Sequence, residues 1–411
     1  MKKDLDLLMK HKDIEALLVT GAGDHNPFMV YFTGGAHLTQ ADLVKPCGRT
    51  AMLFHASMER DEAAKTGLAT RSYLDYSIKS FMDEANKDIS LAMAFRYRKM
   101  LIDAGVSSGK VALYGKTDLG RGYSFFSKLQ TIMPEATLVG FQEDDLLLSA
   151  MMTKDEEELA RIKKMGEVTT TVVAKVEEFL RNQRTKGDVL VNDQTGEPVT
   201  IGDVKSRINL WLAERGAENP EGTIFAIGRD AGVPHSSGTD SDFLRLGQPI
   251  VFDIFPCEQG GGYFYDMTRT WCLGYAPDQV YEIYEQVKTV YDQIISELKV
   301  NAPFSNYQRR TCELFEAMGH PSVLNDPKTE VGYVHSLGHG VGLNIHERPS
   351  SSLEGLETDI LAPGAVITIE PGLYYPERGI GVRLEETLFV EEDGFRIVGD
   401  FPMDLVIPVK R

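Results

Sequence analysis

Four acidic residues in the C-terminal part of the chain lie in or beside segments whose composition is typical of β-strands: Asp253, Asp266, Glu370 and Glu385. Aspartate is depleted in strands, and glutamate mildly so. A carboxylate among core residues is costly unless it is paired or bound to a metal. These four carboxylates, together with the histidine-rich stretch 335–346, therefore predict a dinuclear metal site.

Each pair of carboxylates fits the two arms of a β-hairpin. A glycine run at 260–262 lies between Asp253 and Asp266, and Pro371 with further glycines lies between Glu370 and Glu385. Glycine and proline favour the turns that join paired strands, and side chains alternate across each strand. We therefore expect each hairpin to bring its two carboxylates together, with all four facing one cavity.

Three of the nine histidines fall within residues 335–346. His339 lies between Gly338 and Gly340, whose small size leaves room for a metal or substrate to approach the backbone. A lone histidine is more often a satisfied core residue, but three histidines among glycines favour a site. His235 is isolated in the sequence, and its spacing alone predicts a residue of a surface loop.

Four ionised carboxylates in one cavity would repel one another strongly, and two divalent cations would neutralise them. The alternative is that each carboxylate pairs with an arginine, such as Arg269 or Arg383, or lies on a solvated face. That alternative explains a single carboxylate well, but it explains four carboxylates beside a histidine poorly. An oxygen-rich site suits manganese (Mn²⁺), while cobalt, zinc and iron stay open.

The composition is that of an ordinary globular protein, with 42% hydrophobic and 25% charged residues. A chain of 411 residues exceeds what one core usually supports, so two domains are expected. The net charge of −18 argues against a nucleic-acid partner or an anionic membrane, because both require a basic surface.

The four cysteines are widely spaced and form no CxxC motif, which predicts a reducing compartment rather than a disulfide framework. Charged residues interrupt the N-terminal segment before an apolar region of signal-peptide length can form. No apolar run is long enough to span a membrane. We therefore expect a cytoplasmic protein.

Residues 1–150 alternate between strand and helix signals. Short apolar runs at 16–20, 51–54 and 111–114 are separated by polar helical stretches such as 91–102. This pattern predicts an α/β domain with a mostly parallel sheet. The segment contains no phosphate-binding glycine loop, so its expected role is that of a scaffold or an oligomerisation domain.

A second domain is expected over residues 153–411. Thr153 and Glu156 form a capping-box pattern, which predicts that a long helix begins at Thr153. Apolar residues at helical spacing predict another helix over 280–298. The polar segment 182–198 predicts a loop or hairpin excursion.

The carboxylates and His339 resemble the five-ligand set of the pita-bread metallopeptidases, which include methionine aminopeptidase, aminopeptidase P and prolidase, with creatinase as a metal-free relative. Several segments resemble the Xaa-Pro branch of that family. They are residues 263–270, 338–342, 346–349, 369–373 and 381–386. Residues 31–34 resemble the creatinase-type N-terminal domain more loosely. The resemblance implies a creatinase-like α/β N-terminal domain, an α+β pita-bread C-terminal domain, and a homodimer.

The resemblance also implies which residues hold the two divalent ions. Asp253 would chelate one ion, Asp266 and Glu385 would bridge both, and His339 and Glu370 would hold the other. The ions would share a water or hydroxide whose pKa they lower.

Other roles implied by the resemblance concern catalysis and substrate. Glu370 would also act as general base, and His346 and His235 would flank the substrate and stabilise the tetrahedral intermediate. His335 and Arg383 match positions near the substrate. The catalytic assignments are therefore Glu370, His346 and His235, and the substrate-binding assignments are His335 and Arg383.

Two positions depart from the family pattern. The spacing between Asp253 and Asp266 is two residues longer than usual, so we expect a longer turn over 257–262. Some microbial prolidases carry an arginine just after the His-Glu-x-Pro segment, where it can bind the carboxylate of a dipeptide. Ser350 occupies that position here, and the nearest arginine is Arg348.

The leading hypothesis is a metallopeptidase that cleaves the bond between an N-terminal residue and proline in a proline-containing peptide. Aminopeptidase P-like cleavage of longer peptides is placed ahead of prolidase-like cleavage of dipeptides. A metal-dependent lyase or non-peptidase hydrolase on the same fold is the second hypothesis. A binding protein without catalysis is the third, although such relatives usually lose metal ligands and none is missing here.

Overall fold

The computed structural model describes residues 4–142 and 145–410, which divide into two compact units. The first unit comprises the described residues up to Met151 together with Gly260–Gly262. The second unit comprises the other described residues from Met152 onward. Among the described residues, no helix combines the length and the apolar character that a membrane span requires.

The first unit is a sheet flanked by helices. Its strands are β1 Ala16–Gly21, β2 Ala41–Pro46, β3 Met52–His55, β4 Ala69–Ser72, β5 Gly109–Lys116 and β6 Ala136–Val139. Its α-helices are α1 Leu5–His11, α2 Pro27–Thr33, α3 Arg60–Lys65, α4 Ile78–Phe81, α5 Ile89–Asp103, α6 Leu119–Ile132 and α7 Leu146–Met151.

The sheet of this unit is mostly parallel, as the sequence predicted. Its strands, all within the described residues, pair in the order β4-β3-β2-β1-β5-β6. β2 is antiparallel to both of its neighbours, whereas the other pairings are parallel. Five strands therefore end at the same edge of the sheet.

Both faces of the sheet are covered. In β1, Leu17 and Val19 pack into one apolar cluster, which includes residues of α1, α2 and α7. Ala16 and Leu18 pack into the other cluster, which includes residues of α5 and α6. Side chains alternate across a strand, so a continuous apolar run such as that of β1 is buried on both sides.

The second unit contains several smaller sheets and longer helices. Its strands are β7 Arg184–Lys186, β8 Val189–Val191, β9 Ala217–Glu218, β10 Thr223–Ile227, β11 Pro249–Ile254, β12 Cys257–Glu258, β13 Met267–Leu273, β14 His339–Gly340, β15 Glu347–Ser350, β16 Val366–Ile369, β17 Gly372–Tyr375, β18 Ile380–Arg383, β19 Glu386–Val390, β20 Phe395–Ile397 and β21 Val406–Ile407. Its α-helices are α8 Glu156–Arg181, α9 Ile201–Ala213, α10 Gly228–Ala231, α11 Asp278–Glu297 and α12 Ser305–Ala317.

Two of these sheets carry the candidate metal ligands. One has the strand order β10-β11-β13-β21, and the other has the order β15-β14-β16-β19-β20. The hairpin β17-β18 pairs separately. The connection between β11 and β13 contains β12, which pairs with β9, and then Gly260–Gly262.

The long helix α8 begins two residues later than the sequence predicted. Its N-cap is Asp155, whose side chain accepts hydrogen bonds from the backbone of Glu157 and Glu158, and Glu158 completes the capping box. The predicted N-cap, Thr153, instead forms a β-bridge with Ala365. The prediction of Thr153 as N-cap was therefore wrong, because pairing with a distant strand holds that residue extended.

Two further predictions for this unit are confirmed. The helix predicted over 280–298 is α11, and its buried residues Val280, Ile283, Val287 and Ile294 recur at helical spacing. The polar segment 182–198 contains the antiparallel hairpin formed by β7 and β8.

Candidate metal centre

The first pair of carboxylates lies on one hairpin, as predicted. β11 and β13 are antiparallel, and Asp253 pairs with Thr268. Asp266 lies one residue before the start of β13 rather than inside the strand. Both carboxylate residues are buried, with exposures of 8% and 4%.

The second pair of carboxylates lies between two antiparallel ladders, β16-β19 and β17-β18. β16 and β19 pair as far as Ile369 opposite Glu386, and the β17-β18 ladder begins with Gly372 opposite Arg383. Glu370 and Glu385 occupy the break between these two ladders. Glu370 directly follows the last residue of β16, Ile369.

His339 begins β14, which pairs with both β15 and β16. Its backbone N–H donates to Oγ1 of Thr368. Its Nδ1 lies 3.0 Å from the carbonyl oxygen of Gly340, which accepts the ring proton. The other ring nitrogen, Nε2, therefore has a lone pair for a metal, and the carbonyl of Gly340 fixes this tautomer.

The five predicted ligands line one cavity of about 810 Å³. The Nε2 atom of His339 lies 3.5 Å from Oε1 of Glu370 and 3.7 Å from Oδ2 of Asp266. Asp266, His339 and Glu385 each offer a ligand atom, and these atoms lie within 4.8 Å of one another. The structure therefore brings the ligand set together from two sheets.

Burial and mutual repulsion disfavour the ionised form of these carboxylates. They raise the pKa of Asp266 and of Glu370 well above the usual range, and that of Glu385 to about 8. Burial likewise lowers the pKa of His339 to about 3, so the imidazole is neutral. Clustered acids beside a neutral imidazole have the electrostatics of a cation site.

The residues fit divalent cations by a second, geometric criterion. Oδ1 of Asp253 and Oδ1 of Asp266 are buried and have no hydrogen-bond partner among the described residues. An unsatisfied buried carboxylate oxygen is costly. A cation bound between these oxygens would satisfy them, so Asp253, Asp266, His339, Glu370 and Glu385 could hold it.

The arginine alternative holds for one of the four carboxylates. Nη2 of Arg383 lies 2.6 Å from Oδ2 of Asp253. Arg269 pairs instead with Glu386, which is outside the predicted set, and donates to the backbone oxygen of Glu385. Asp266, Glu370 and Glu385 therefore have no ion pair with an arginine among the described residues.

Threonine hydroxyls connect the two carboxylate-bearing hairpins. Oγ1 of Thr268 donates to Oε2 of Glu385 at 2.7 Å, and Oγ1 of Thr387 donates to the backbone oxygen of Asp266 at 2.7 Å. Thr270 exchanges hydrogen bonds with the backbone of Arg383 in both directions. These bonds fix each hairpin relative to the other.

His335 and Arg383 belong to one hydrogen-bonded chain. Nη1 of Arg383 donates to the hydroxyl of Tyr374 at 2.7 Å, and that hydroxyl lies 2.9 Å from Nε2 of His335. Nδ1 of His335 donates to the carbonyl of Ser336. Burial and the charge of Arg383 lower the pKa of His335 to about 3.

His346 and His235 also line the cavity. The ring of His346 packs edge-on against that of His339, with centroids 4.3 Å apart. His235 is an exposed turn residue, as its spacing suggested, but its turn lies at the cavity wall. All nine predicted site residues therefore line the same cavity.

Sequence reasoning missed several polar residues of this cavity. Lys205 and Asn209 reach it from α9, and Glu221 reaches it from the turn before β10. Glu347 lines it and forms a buried ion pair with Lys154 at 3.0 Å. Lys205 and Asn209 are spaced one helical turn apart, which places them on the same face of α9. Many exposed helices carry polar residues at this spacing, so it does not by itself indicate a cavity.

The chain matches the model of Metallopeptidase family M24 over residues 160–392. It is 29% identical over 272 residues to a protein from Pyrococcus furiosus named Xaa-Pro dipeptidase, covering 66% of this chain and 69% of that protein.

Solved structures share the fold over nearly the whole chain. An X-Pro aminopeptidase from Thermotoga maritima aligns with a TM-score of 0.73 and 22% identity, covering 96% of this chain and 98% of that one. A prolidase from Pyrococcus horikoshii aligns with a TM-score of 0.73 and 23% identity, covering 98% and 99%. The predicted fold class, an α/β unit followed by a pita-bread unit, is confirmed.

Proposed function

We propose that this chain, which belongs to metallopeptidase family M24, hydrolyses the bond between an N-terminal residue and proline with two divalent ions. The observation that carries the proposal is the cluster of four carboxylates and one imidazole in a single cavity. The unpaired Oδ1 atoms of Asp253 and Asp266 support cation binding there. Manganese is the proposed ion, because hard oxygen ligands dominate the set.

Divalent ions in this site would supply Lewis acidity and lower the pKa of an attacking water. Glu370 would accept the proton of that water, since its carboxylate lines the cavity beside the other proposed ligands. His346 and His235 would donate hydrogen bonds to the oxygen that gains charge during attack. Tyr374 would hold His335 in one tautomer beside them.

Cleavage of longer peptides is favoured over cleavage of dipeptides. Ser350 lines the cavity where an arginine would bind a dipeptide carboxylate. Arg348 donates to Asp359 at 2.8 Å and to Thr358 at 2.6 Å, so its guanidinium is engaged elsewhere. A cavity of about 810 Å³ is also large for a dipeptide.

One observation favours the dipeptidase alternative. Lys205 lines the cavity and offers a cation for a substrate carboxylate. Its Nζ lies 2.9 Å from the exposed carboxylate of Asp240, with which a substrate would have to compete. Replacing Lys205 by methionine should raise KM for Ala-Pro much more than for Ala-Pro-Ala if this alternative holds.

The test is a cleavage panel with metal-stripped protein reconstituted with each metal in turn. Xaa-Pro dipeptides and Xaa-Pro-Xaa tripeptides are compared by kcat/KM, and products are identified by mass. The proposal predicts a free N-terminal amino acid and a shortened product that begins with proline, whose masses together exceed that of the substrate by one water. A product with a new double bond would instead indicate a lyase, and no turnover with any metal would contradict the proposal.

A further inference from the structure

A second cavity, of about 610 Å³, lies in the first unit at the ends of its central strands. β1 and β5 are adjacent and parallel, and Gly21 pairs with Lys116 at their ends. The chain leaves β1 toward β2 on one side and leaves β5 toward β6 on the other. In open α/β sheets, such a divergence creates a crevice at the carboxyl ends of the strands where ligands bind.

Two glycines allow β1 and β5 to approach closely at the floor of this crevice, which Gly21 lines. Gly21 and Gly115 have φ angles of +120° and +110°. A Cβ atom at Gly21 would lie 1.9 Å from the carbonyl oxygen of Lys116, and one at Gly115 would lie 1.9 Å from that of Thr20. Larger residues would therefore force the strand ends apart, so this close approach requires glycine.

A buried polar network stiffens the floor. Oγ1 of Thr20 donates to Oδ1 of Asp42 at 2.5 Å, and the hydroxyls of Tyr97 and Tyr73 donate to the same carboxylate at 2.8 Å each. Burial and Asp42 raise the pKa of Tyr97 well above its usual range, so this hydroxyl stays protonated. These side chains therefore satisfy one another by hydrogen bonds.

The rim of the cavity carries an excess of positive charge. Lys116 and Arg121 line it and are exposed, and neither side chain forms an ion pair with a described residue. Asp118 is the acidic residue among the described lining residues, and its side chain accepts a hydrogen bond from the backbone of Arg121 to cap α6. The two cations are thus available to an anion.

Part of the cavity lining is apolar. Ile78, Ile89 and Met93 reach the cavity from α4 and α5, and Phe125 reaches it from α6. The ring of Phe125 stacks on that of Tyr97 with centroids 4.9 Å apart. Apolar side chains and two cations in one cavity favour a ligand that has both an apolar body and an anionic group.

We propose that this cavity binds a small organic anion. Its apolar or aromatic body lies against Met93 and Phe125, and its phosphate or carboxylate group is bound by Lys116 and Arg121. Charge-assisted hydrogen bonds from two cations supply most of the orientation. The proposal concerns the first unit alone and is independent of the peptidase chemistry.

The test uses the full chain and four probes in calorimetric titrations. Phenyl phosphate and phenylacetate carry a ring and an anion, benzyl alcohol carries only the ring, and inorganic phosphate carries only the anion. The ¹³C-methyl signal of Met93, assigned with Met93→Leu, reports whether binding occurs in this cavity. A phosphate that binds instead at the metal centre leaves that signal unchanged.

Phenyl phosphate or phenylacetate should bind and shift the Met93 signal, and the double variant Lys116→Gln/Arg121→Gln should weaken binding about tenfold or more. The control is Arg60→Gln/Lys87→Gln, which removes the same charge from side chains of the first unit that are 71% and 72% exposed. A preference for one of the two aromatic anions identifies the head group.

Three results would overturn the proposal. The first is no binding of either aromatic anion at millimolar concentration. The second is binding without a shift of the Met93 signal. The third is equal weakening by the control pair, which would mean that net charge rather than these two side chains governs affinity.

Discussion

Tyr374 accepts a hydrogen bond from Nη1 of Arg383 and presents the same hydroxyl to Nε2 of His335. Arg383 in turn pairs with Asp253. A metal-ligand candidate and a substrate-side histidine are therefore connected through one phenol. This hydroxyl orients His335 directly and, through Arg383, Asp253.

Replacing Tyr374 by phenylalanine should lower kcat while the metal content is retained. The buried guanidinium of Arg383 loses an acceptor, so the free energy of unfolding should also fall by about 1–3 kcal/mol. The matched control is Tyr375→Phe, because the neighbouring hydroxyl contacts His320 instead. Equal kinetic effects of both substitutions would argue against a positioning role for Tyr374.

Metal removal should destabilise the second unit. A ligand present at 100 times its dissociation constant adds about 2.7 kcal/mol to the free energy of unfolding, provided that the unfolded chain does not bind it. Calorimetric unfolding with and without chelator measures this stabilisation. Elemental analysis should give two ions per chain. His346→Ala keeps every proposed ligand, so its unfolding temperature should respond to chelator as the wild type does. An unfolding temperature that chelator leaves unchanged would contradict the metal site.

Substitutions of Glu370 and His346 should differ in their effects on kcat and on metal content. His346→Ala should retain both metals and lose about 10²–10³ in kcat, which is typical for one stabilising donor. Glu370→Gln keeps an oxygen ligand but cannot accept a proton, so it should lose more activity with only partial loss of metal. Steady-state kinetics and metal analysis of both variants test this, and a near wild-type kcat for His346→Ala would exclude its proposed role.

Proline should be required after the N-terminal residue. A proline nitrogen carries no hydrogen, and its ring fixes φ, so a site shaped for that ring loses packing and alignment with alanine. We expect kcat/KM for Ala-Pro-Ala to exceed that for Ala-Ala-Ala clearly. Comparable values of kcat/KM would contradict the requirement for proline and would indicate a general aminopeptidase or a different reaction.

His320 should contribute to loss of stability in acid. Its ring contacts Tyr375 and Gln286, and burial, followed by the charge of Arg378, lowers its pKa from 6.5. As the pH falls below 6.5, the unfolded chain therefore binds a proton that the folded chain does not, and stability is lost toward the folded pKa.

The change is at most about 1.4 kcal/mol per pH unit for one proton. Urea unfolding of wild type and His320→Gln between about pH 7 and pH 5 should show a shallower pH dependence in the variant. The same slope in both proteins would show that His320 does not carry this effect.

The ligand set could be predicted because the chemistry left a pattern in the sequence. Carboxylates beside strand-like segments are costly without a partner, and glycine or proline turns between them predict hairpins. The strand ends were less certain, since Asp266 and Glu370 each lie one residue outside the strand. Local propensity does not distinguish a terminal residue of a strand from the residue just outside it.

Tertiary contacts decided what the sequence did not predict. β2 was missed because Asp42, Lys45 and Pro46 argue against a strand. In the structure, Asp42 accepts hydrogen bonds from buried hydroxyls and Lys45 pairs with Asp6. Tyr374 was missed because a tyrosine in a strand is indistinguishable from a core residue until its neighbours are known.

The threonine hydroxyls that join the two hairpins couple the positions of the carboxylates. Oγ1 of Thr268, on the first hairpin, holds the side chain of Glu385, and Oγ1 of Thr387, on the second, holds the backbone of Asp266. A shift of either hairpin therefore strains hydrogen bonds that position a carboxylate residue of the other. Substitutions in the two hairpins should accordingly have non-additive effects on stability and on metal affinity.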